Sequence, residues 1–233
     1  MKKVLLSLIL LLTAISLSAQ SLEDIVNNYT IANKLDKVSN FKTIKITAKT
    51  SVMGMDMPME IWMKNPDKIK TVTSFNGQKI VQSYDGIKGY LINPMAGSLQ
   101  PVEMTSEQLK EVVRSNIFQN YMAKYLSDGK LTLDGEENVD GKPAFKIKAA
   151  IDGTNSATLF IDKSTHLLVK TLAEVNQGGM VVPVESYPTN YTEVNGIFLP
   201  MKTTTSASGM EIVTTFTNVE VDIPIDDSIF SLK

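Results

Sequence analysis

The stretch MGMDMPMEIWMK, residues 53–64, carries an apolar side chain at every odd position. Successive side chains of an extended strand point to opposite faces, so the odd positions share one face. Residues 54–56 have the composition of a hairpin turn, and residues 44–49 before it alternate in the same way. The stretch therefore predicts an antiparallel hairpin whose apolar face consists of Met53, Met55, Met57, Met59, Ile61 and Met63.

Strand-like alternation continues on the C-terminal side of this hairpin. Asn-Gly and Asp-Gly dipeptides, which favour tight turns, separate several of the runs. The further runs are 68–75, 78–84, 87–92, 143–151, 157–161, 166–175, 181–187, 196–205 and 210–221. This spacing favours one large antiparallel sheet of about ten or eleven strands, curved or partly closed, over an arrangement of parallel strands.

Two segments change to a helical period. Ser21 with Asp24, and Thr105 with Gln108, are spaced as in a capping box, which marks a helix start. The first helix is predicted to continue to about residue 38 and the second to about residue 126. The apolar face of the second helix consists of Leu109, Val112, Val113, Ile117, Tyr121, Met122 and Tyr125. The predicted fold class is thus mainly β, with helices covering part of the sheet.

The first 19 residues have the layout of a cleavable secretory signal. Lys2 and Lys3 precede an apolar run over 4–12, and small polar residues follow up to Ala19. A membrane anchor is the alternative, but this run is shorter than the ~20 residues that span a bilayer. We expect cleavage before Gln20, export to the periplasm, and one soluble domain over residues 20–233.

Composition excludes several classes of function. The formal net charge is −2, and it becomes −4 without Lys2 and Lys3, which argues against a nucleic-acid partner. The chain contains no cysteine, so disulfides, thiolate metal sites and a lipid-modified N-terminal cysteine are all excluded. We therefore expect an exported protein that is not lipidated.

Residues suited to catalysis or metal binding are scarce. His166 is the only histidine, and it lies in the polar segment DKSTH, residues 162–166, which is typical of an exposed turn rather than of a catalytic base. The acidic residues Asp222, Asp226 and Asp227 lack the glycine and the ligand spacing of a calcium loop. We predict no enzymatic activity, no metal and no cofactor.

Methionine is the positive signal. Five of the 12 methionines lie between positions 53 and 63. Methionine is flexible and polarizable, so a methionine-rich face can adapt to apolar ligands of different shapes, such as acyl chains. The alternative is that these residues are ordinary core, because alternation describes any half-buried strand.

The order of these pieces resembles the outer-membrane lipoprotein-sorting proteins of the LolA/LolB superfamily. The hairpin Met-Gly-Met-x-Met-Pro-Met at 53–59, after a signal and a short helix, carries the resemblance most clearly, and the bend WMKNPDKI at 62–69 follows it. Further matching segments occur in the same order and are DG at 85–86, GY at 89–90, INP at 92–94, FIDK at 160–163, YTEVNGIFLP at 191–200 and DSIF at 227–230.

The resemblance implies a strongly curved, incompletely closed antiparallel β-barrel whose concave face is covered by helices. It also implies an apolar cavity for acyl chains of lipoproteins or lipids, which a monomeric periplasmic carrier takes towards the outer membrane. The partners implied are an inner-membrane release complex and an outer-membrane acceptor. In the family an arginine couples the helical lid to the barrel, and the only candidate here is Arg114.

Two hypotheses about function follow. In the first, acyl chains bind between the hairpin face and the second helix, with the site formed by Met53, Met55, Met57, Met59, Ile61, Met63, Val113, Ile117, Tyr121 and Met122. In the second, the protein is an envelope sensor or assembly factor with the same fold. Its surface would then contact a membrane-protein partner, and side chains would fill its cavity.

Overall fold

The computed structural model describes residues 20–152, 155–177 and 180–232, so the predicted signal segment lies outside the described residues. Thirteen strands form a single antiparallel sheet in the order β6-β5-β4-β3-β2-β1-β13-β12-β11-β10-β9-β8-β7. The strands are β1 (Thr43–Val52), β2 (Met55–Lys64), β3 (Lys68–Phe75), β4 (Gln78–Tyr84), β5 (Gly89–Asn93), β6 (Ser98–Glu103), β7 (Leu131–Val139), β8 (Lys142–Ala150), β9 (Ser156–Asp162), β10 (Leu168–Gln177), β11 (Met180–Val194), β12 (Ile197–Ala207) and β13 (Met210–Val221).

The sheet curves like a barrel, but β6 and β7 are not hydrogen-bonded to each other in the part of the chain that the structure describes. The chain crosses between these two edge strands through two helices. The helices of the protein are α1 (Leu22–Ala32), α2 (Leu35–Val38), α3 (Ser106–Arg114) and α4 (Tyr121–Ser127), and short 3-10 turns lie at Pro94–Ala96 and Asp227–Phe230. The predicted fold class, mainly β and incompletely closed, is confirmed.

The strand count exceeds the prediction because both edge strands lack clear alternation. In β6, Pro101 lacks the donor that a central strand needs, and an edge strand tolerates this loss. In β7 the register with β8 shifts between Leu133 and Glu136, where Gly135 has a φ of 88°. The bulge and the exposed acidic residues around it hide the period of two.

Each predicted helix is two helices in the structure. Lys34 has a φ of 55°, in the left-handed region, and separates α1 from α2. Between α3 and α4, the side chain of Asn116 accepts a hydrogen bond from the backbone of Phe118 and donates one to the carbonyl of Pro66. Asn120 then caps α4 by accepting from the backbone of Ala123. Hydrogen bonds that the side chains of Asn116 and Asn120 form with the backbone therefore interrupt the helix, although the helical spacing of apolar residues continues through this segment of the sequence.

The helices cover one face of the sheet through two apolar clusters. In the first, Val112 of α3 packs with Ile46 of β1 and Met63 of β2. In the second, Ile25 of α1 and Met122 of α4 belong to the core around Ile147, Phe145, Ile161 and Leu131. Burial of these side chains, worth about 1.5–3 kcal/mol each, holds the helices against the concave face.

The C-terminal segment binds the opposite face of β2, β3 and β4. Lys64 and Lys68 alternate with the inward-facing Met63 and Ile69, and both ammonium groups contact Asp227, with a distance of 2.8 Å from Lys68 Nζ to Asp227 Oδ2. The hydroxyl of Ser83 donates to the carbonyl of Phe230 at 2.7 Å, and the ring of Phe230 is fully buried. Residues 222–232 therefore form a strap across the outer surface of these strands.

We predict that Phe230→Ala lowers the free energy of unfolding by about 3–5 kcal/mol, because it removes a fully buried ring from the strap. Urea unfolding monitored by circular dichroism measures this change. Leu99→Ala is the matched control, since Leu99 is 71% exposed and its loss should change stability by less than about 0.5 kcal/mol. Equal effects of the two substitutions would contradict an anchoring role for Phe230.

The Asp227 carboxylate gives the strap a pH dependence. Hydrogen bonds from Lys64 and Lys68 lower the pKa of Asp227 from 3.8 to about 2. Its stabilising effect is therefore fully present above pH 3.8 and is lost as the pH falls through about 2. Carbon-13 NMR titration of the carboxyl carbon should give a midpoint near 2, and in Lys64→Met/Lys68→Met it should return towards the ordinary value. An unchanged midpoint in that variant would show that other groups lower the pKa.

Candidate functional site

A cavity of about 460 Å³ lies between α3 and the β1–β3 part of the concave face. Its apolar lining consists of Ile46, Met59, Ile61, Met63, Val112, Ile117 and Phe216, and Thr71, Gln82, Gln108, Glu111 and Ser115 add polar atoms. We call it the methionine cavity. Its volume falls within the range of ~300–1,000 Å³ that is usual for small-molecule sites.

Strand register explains why apolar side chains meet here. Ile46 is paired with Ile61, and Ala48 is paired with Met59, so both pairs lie on the same face of the sheet. Ile46 is almost fully buried in the core, whereas Met59 and Ile61 are only half-buried. Part of their apolar surface is thus available to the cavity.

A close approach at Gly89 positions α3 over this cavity. A Cβ atom built on Gly89 would lie 2.8 Å from Met104 Sδ and 2.9 Å from Leu109 Cδ1. The helix begins with the predicted capping box, in which Thr105 accepts from the backbone of Gln108 and Gln108 accepts from the backbone of Thr105. The absent side chain at Gly89 therefore lets the capped end of α3 contact β5 directly.

A second cavity, of about 380 Å³, lies beside the first between the helices and β10–β12. We call it the tyrosine cavity, because Tyr29, Tyr121 and Tyr191 contribute to its lining. Burial raises the pKa of Tyr29 to about 12 and also raises that of Tyr191 above the ordinary value of 10.0. Both hydroxyls are therefore donors at pH 7, as any tyrosine hydroxyl is. Ser115 and Ile117 line both cavities, so the connection between α3 and α4 separates them.

A third cavity, of about 780 Å³, lies where β8–β12 carry small residues, and we call it the alanine cavity. Directly paired residues on adjacent strands form one row across its lining, namely Ala149, Ala157, Ala173, Val184 and Ala207. Ala149 packs in the same cluster as Ile25 of α1, which places the row on the concave face. Small side chains leave this part of the barrel interior unfilled.

The structure distributes the ten residues predicted for the acyl site. Met59, Ile61, Met63 and Ile117 line the methionine cavity, and Ile117, Tyr121 and Met122 line the tyrosine cavity. Met53 and Met55 lie at the end of the β1–β2 hairpin and are 78% and 49% exposed. Met57 is half-buried opposite Thr50. Val113 is outside the three linings, and its carbonyl accepts a hydrogen bond from Tyr121.

Sequence reasoning missed the alanine cavity and the barrel side of the tyrosine cavity. Alanine is depleted in strands, so the alanines of β8, β9, β10 and β12 were a detectable signal for open space inside the sheet. Thr171, Ser186 and Thr203 line the tyrosine cavity from β10, β11 and β12. They gave no such signal, because threonine is common in every kind of strand.

Arg114 connects the end of α3 to the loop between β8 and β9. Its guanidinium donates to Asp152 Oδ2 at 3.3 Å and also forms an ion pair with Glu111. Arg114 lines the tyrosine cavity, and both carboxylates compensate its charge there. It thus links the end of α3 to the barrel through the β8–β9 loop.

The residues considered for catalysis or metal binding lie outside the three cavities. His166 is half-buried at the β9–β10 turn, and Asp162 in the same turn accepts hydrogen bonds from Ser164 and Thr165. Asp227 belongs to the strap. Within residues 20–152, 155–177 and 180–232, no group of three or more His, Cys, Asp or Glu side chains could hold a metal ion. No helix in these ranges is long and apolar enough to cross a membrane.

Three solved structures share this fold. A DUF1329 family protein from Desulfovibrio piger superposes with a TM-score of 0.60 at 17% identity, over 90% of this chain and 99% of its own. A LolA superfamily protein from Nitrosomonas europaea has a TM-score of 0.60 at 14% identity, over 91% and 98%. A domain of the outer-membrane lipoprotein-sorting type from Vibrio parahaemolyticus has a TM-score of 0.61 at 12% identity, over 90% and 97%.

These likenesses establish the fold, and the LolA-like architecture expected from the sequence motifs is confirmed. No protein-family model and no curated protein matches the sequence.

We predict that Gly89→Ala destabilises the protein by about 1–3 kcal/mol, because the added methyl group overlaps Met104 and Leu109. Leu109→Ala in the same chain should recover part of this loss, since it makes room for the methyl group. A double-mutant cycle from urea unfolding measures the coupling. Additive effects of the two substitutions would contradict the close contact between β5 and α3.

Proposed function

We propose that this protein is a carrier that binds acyl chains of lipids or lipoproteins without covalent chemistry. The observation that carries the proposal is a group of three cavities in an incompletely closed sheet: two lie between the helices and the concave face, and the third lies where β8–β12 carry small residues. Each buried methylene group contributes about 0.8 kcal/mol, so a long chain can be held without any charged contact. The fold shared with a lipoprotein-sorting type of domain is consistent with this role.

The methionine cavity is suited to acyl chains of different shapes. Met59 and Met63 come from one strand, and Ile117 lies opposite on the connection between the helices. The flexible thioether side chains can move to follow a chain that bends or ends at different depths. This part of the proposed site therefore favours apolar ligands as a class over one rigid molecule.

The predicted signal at residues 1–19 supports a wider role. We infer that the protein works as a monomer in the periplasm and takes its cargo towards the outer membrane. An inner-membrane complex would load the cargo, and an outer-membrane acceptor would receive it. The edge strands β6 and β7 are not paired with each other in the described chain, and α3 covers the methionine cavity by side-chain packing. Contacts of this kind can open and form again, which agrees with reversible loading.

A second candidate function is binding of a protein partner in the envelope. Apolar residues are exposed at the ends of three neighbouring hairpins, with Met53 at 78%, Met180 at 71% and Met210 at 45% exposure. Exposed apolar groups of this kind often mark interaction surfaces. A pull-down that recovers one stable protein partner and no lipid would favour this role.

We predict that Met59→Gln weakens binding of a fluorescent fatty acid about tenfold, because it places an amide in the methionine cavity. Fluorescence titration gives the dissociation constant, and urea unfolding gives the stability. Met210→Gln is the matched control, since Met210 lies at an exposed hairpin end. A loss of stability as large as the loss of binding energy would indicate that Met59 is ordinary core.

Native mass spectrometry of protein purified from its own envelope tests the proposal independently. We expect co-purifying acyl species that organic extraction releases and identifies. A mass without bound species, together with no uptake of the fatty-acid probe, would contradict the carrier role and favour the protein-binding one.

A further inference from the structure

Six hydroxyl residues form a continuous patch on the concave face between the two apolar clusters. Thr171, Ser186 and Thr205 are paired across β10, β11 and β12, and the next row pairs Thr203 and Thr214 with Thr50 on β1. We call this patch the hydroxyl floor; it consists of Thr50, Thr171, Ser186, Thr203, Thr205 and Thr214.

The register shows from both sides that this patch faces inward. Thr50 is two residues from Ala48, which belongs to the apolar cluster under α3. At the other end Thr171 is paired with Leu159, which packs with the cluster under α1 and α4. Residues of the two apolar clusters thus lie on either side of these six hydroxyl residues.

Part of the hydrogen-bonding capacity of this patch is not used by the protein. Thr50 is paired with Thr214 at 3.2 Å, and Ser186 with Thr205 at 3.0 Å. Thr171 and Thr203 make no side-chain hydrogen bond with the described ranges of the chain. Both residues are half-buried and line the tyrosine cavity, where each can donate one hydrogen bond and accept others.

Helix α1 contributes a further donor to the same cavity. The hydroxyl of Tyr29 on α1 has no hydrogen-bond partner within the ranges that the structure describes. It is protonated at neutral pH, since tyrosine has an ordinary pKa of 10.0 and burial raises the pKa of Tyr29 further. A ligand between α1 and the barrel would therefore meet hydroxyl donors from both sides.

Charge in this cavity is already compensated. Arg114 is the one charged residue among those that line it in the described chain, and Glu111 and Asp152 both contact its guanidinium. An ionised phosphate or carboxylate would lose its hydration without gaining a free cation, which is unfavourable. Neutral ester or amide carbonyls accept hydrogen bonds from hydroxyls and lose much less hydration.

Apolar cavities lie on both sides of the hydroxyl floor. The tyrosine cavity shares Ser115 and Ile117 with the methionine cavity. In the other direction Ala173 and Val184, two residues from Thr171 and Ser186, belong to the alanine cavity. A ligand that fits this arrangement has an uncharged polar centre with apolar chains on either side.

We propose that the hydroxyl floor binds the ester groups of a neutral diacyl glyceride, whose acyl chains occupy the apolar cavities on its two sides. The inference rests on the proposed acyl-binding function and adds the chemical class of the polar group. The glyceride can be a free lipid or the lipid anchor of an acylated protein, because both present the same ester groups.

Binding of matched probes to the full mature chain tests the inference. The probes are a pyrene-labelled diacylglycerol, a pyrene-labelled alkane without ester groups, and the phosphatidic acid with the same acyl chains. The variant is Thr171→Val/Thr203→Val. The control is Thr204→Val/Thr215→Val, on the opposite face, where Thr204 pairs with Tyr187 and Thr215 with Lys202. Thermal unfolding shows that both variants are folded.

We expect the floor variant to bind diacylglycerol about tenfold more weakly, because two neutral hydrogen bonds are lost, and to bind the alkane unchanged. The control should bind both probes like the unchanged protein. The unchanged protein should bind phosphatidic acid at least tenfold more weakly than diacylglycerol. A synthetic diacylated lipopeptide identifies the source: floor-dependent binding of it indicates an acylated protein, and binding of diacylglycerol alone indicates a free lipid.

Two results would overturn the inference and leave the carrier role intact. One is that Thr171→Val/Thr203→Val weakens the binding of diacylglycerol and of the alkane equally, or weakens neither. The other is phosphatidic acid that binds as tightly as diacylglycerol. Failure of the unchanged protein to take up any probe would instead overturn the proposed function, and this inference with it.

Discussion

The antiparallel pairing of β1 with β13 is the constraint on which the rest of the structure depends. It runs from Ile44 opposite Val221 to Val52 opposite Ile212 and joins the first six strands to the last seven. Because the junction lies inside the sheet, β6 and β7 become the two edges. Yet these strands are neighbours in sequence, so α3 and α4 must cross the concave face from one edge to the other. The helical lid over the cavities is thus a consequence of strand order.

The same register divides the inner face into regions of different polarity. One row of paired residues leads from Val52 through Ile212, Thr205, Ser186 and Thr171 to Leu159 and Ile147. Both ends of this row are apolar and its middle carries hydroxyls. The helices bury Ile25 and Val112 against the two apolar clusters. The open space therefore lies beside and between the packed regions, where polar or small side chains offer less surface to bury.

Sequence patterns predicted those parts of the fold in which local chemistry and tertiary structure agree. The alternation in β2 and the capping boxes at Ser21 and Thr105 are local signals, and each is present as expected. The edge strands β6 and β7 were missed because pairing with one neighbour permits Pro101 and a bulge at Gly135. The alanine cavity and the hydroxyl floor depend on which strands are neighbours, and only the register of the whole sheet brings their residues together.

An incompletely closed sheet suits a carrier better than a closed barrel would. Opening a closed barrel breaks a row of backbone hydrogen bonds, and each buried group left unpaired costs about 1–3 kcal/mol. Here α3 contacts the barrel through side chains, such as Arg114 with Asp152 in the β8–β9 loop and Leu109 beside Gly89 of β5. A ligand can therefore enter by displacing α3 and α4, and the hydrogen bonds between neighbouring strands of the sheet stay intact. Opening removes side-chain packing between the helices and the barrel, and the apolar surface of the ligand replaces it. Loading and release can therefore both remain reversible.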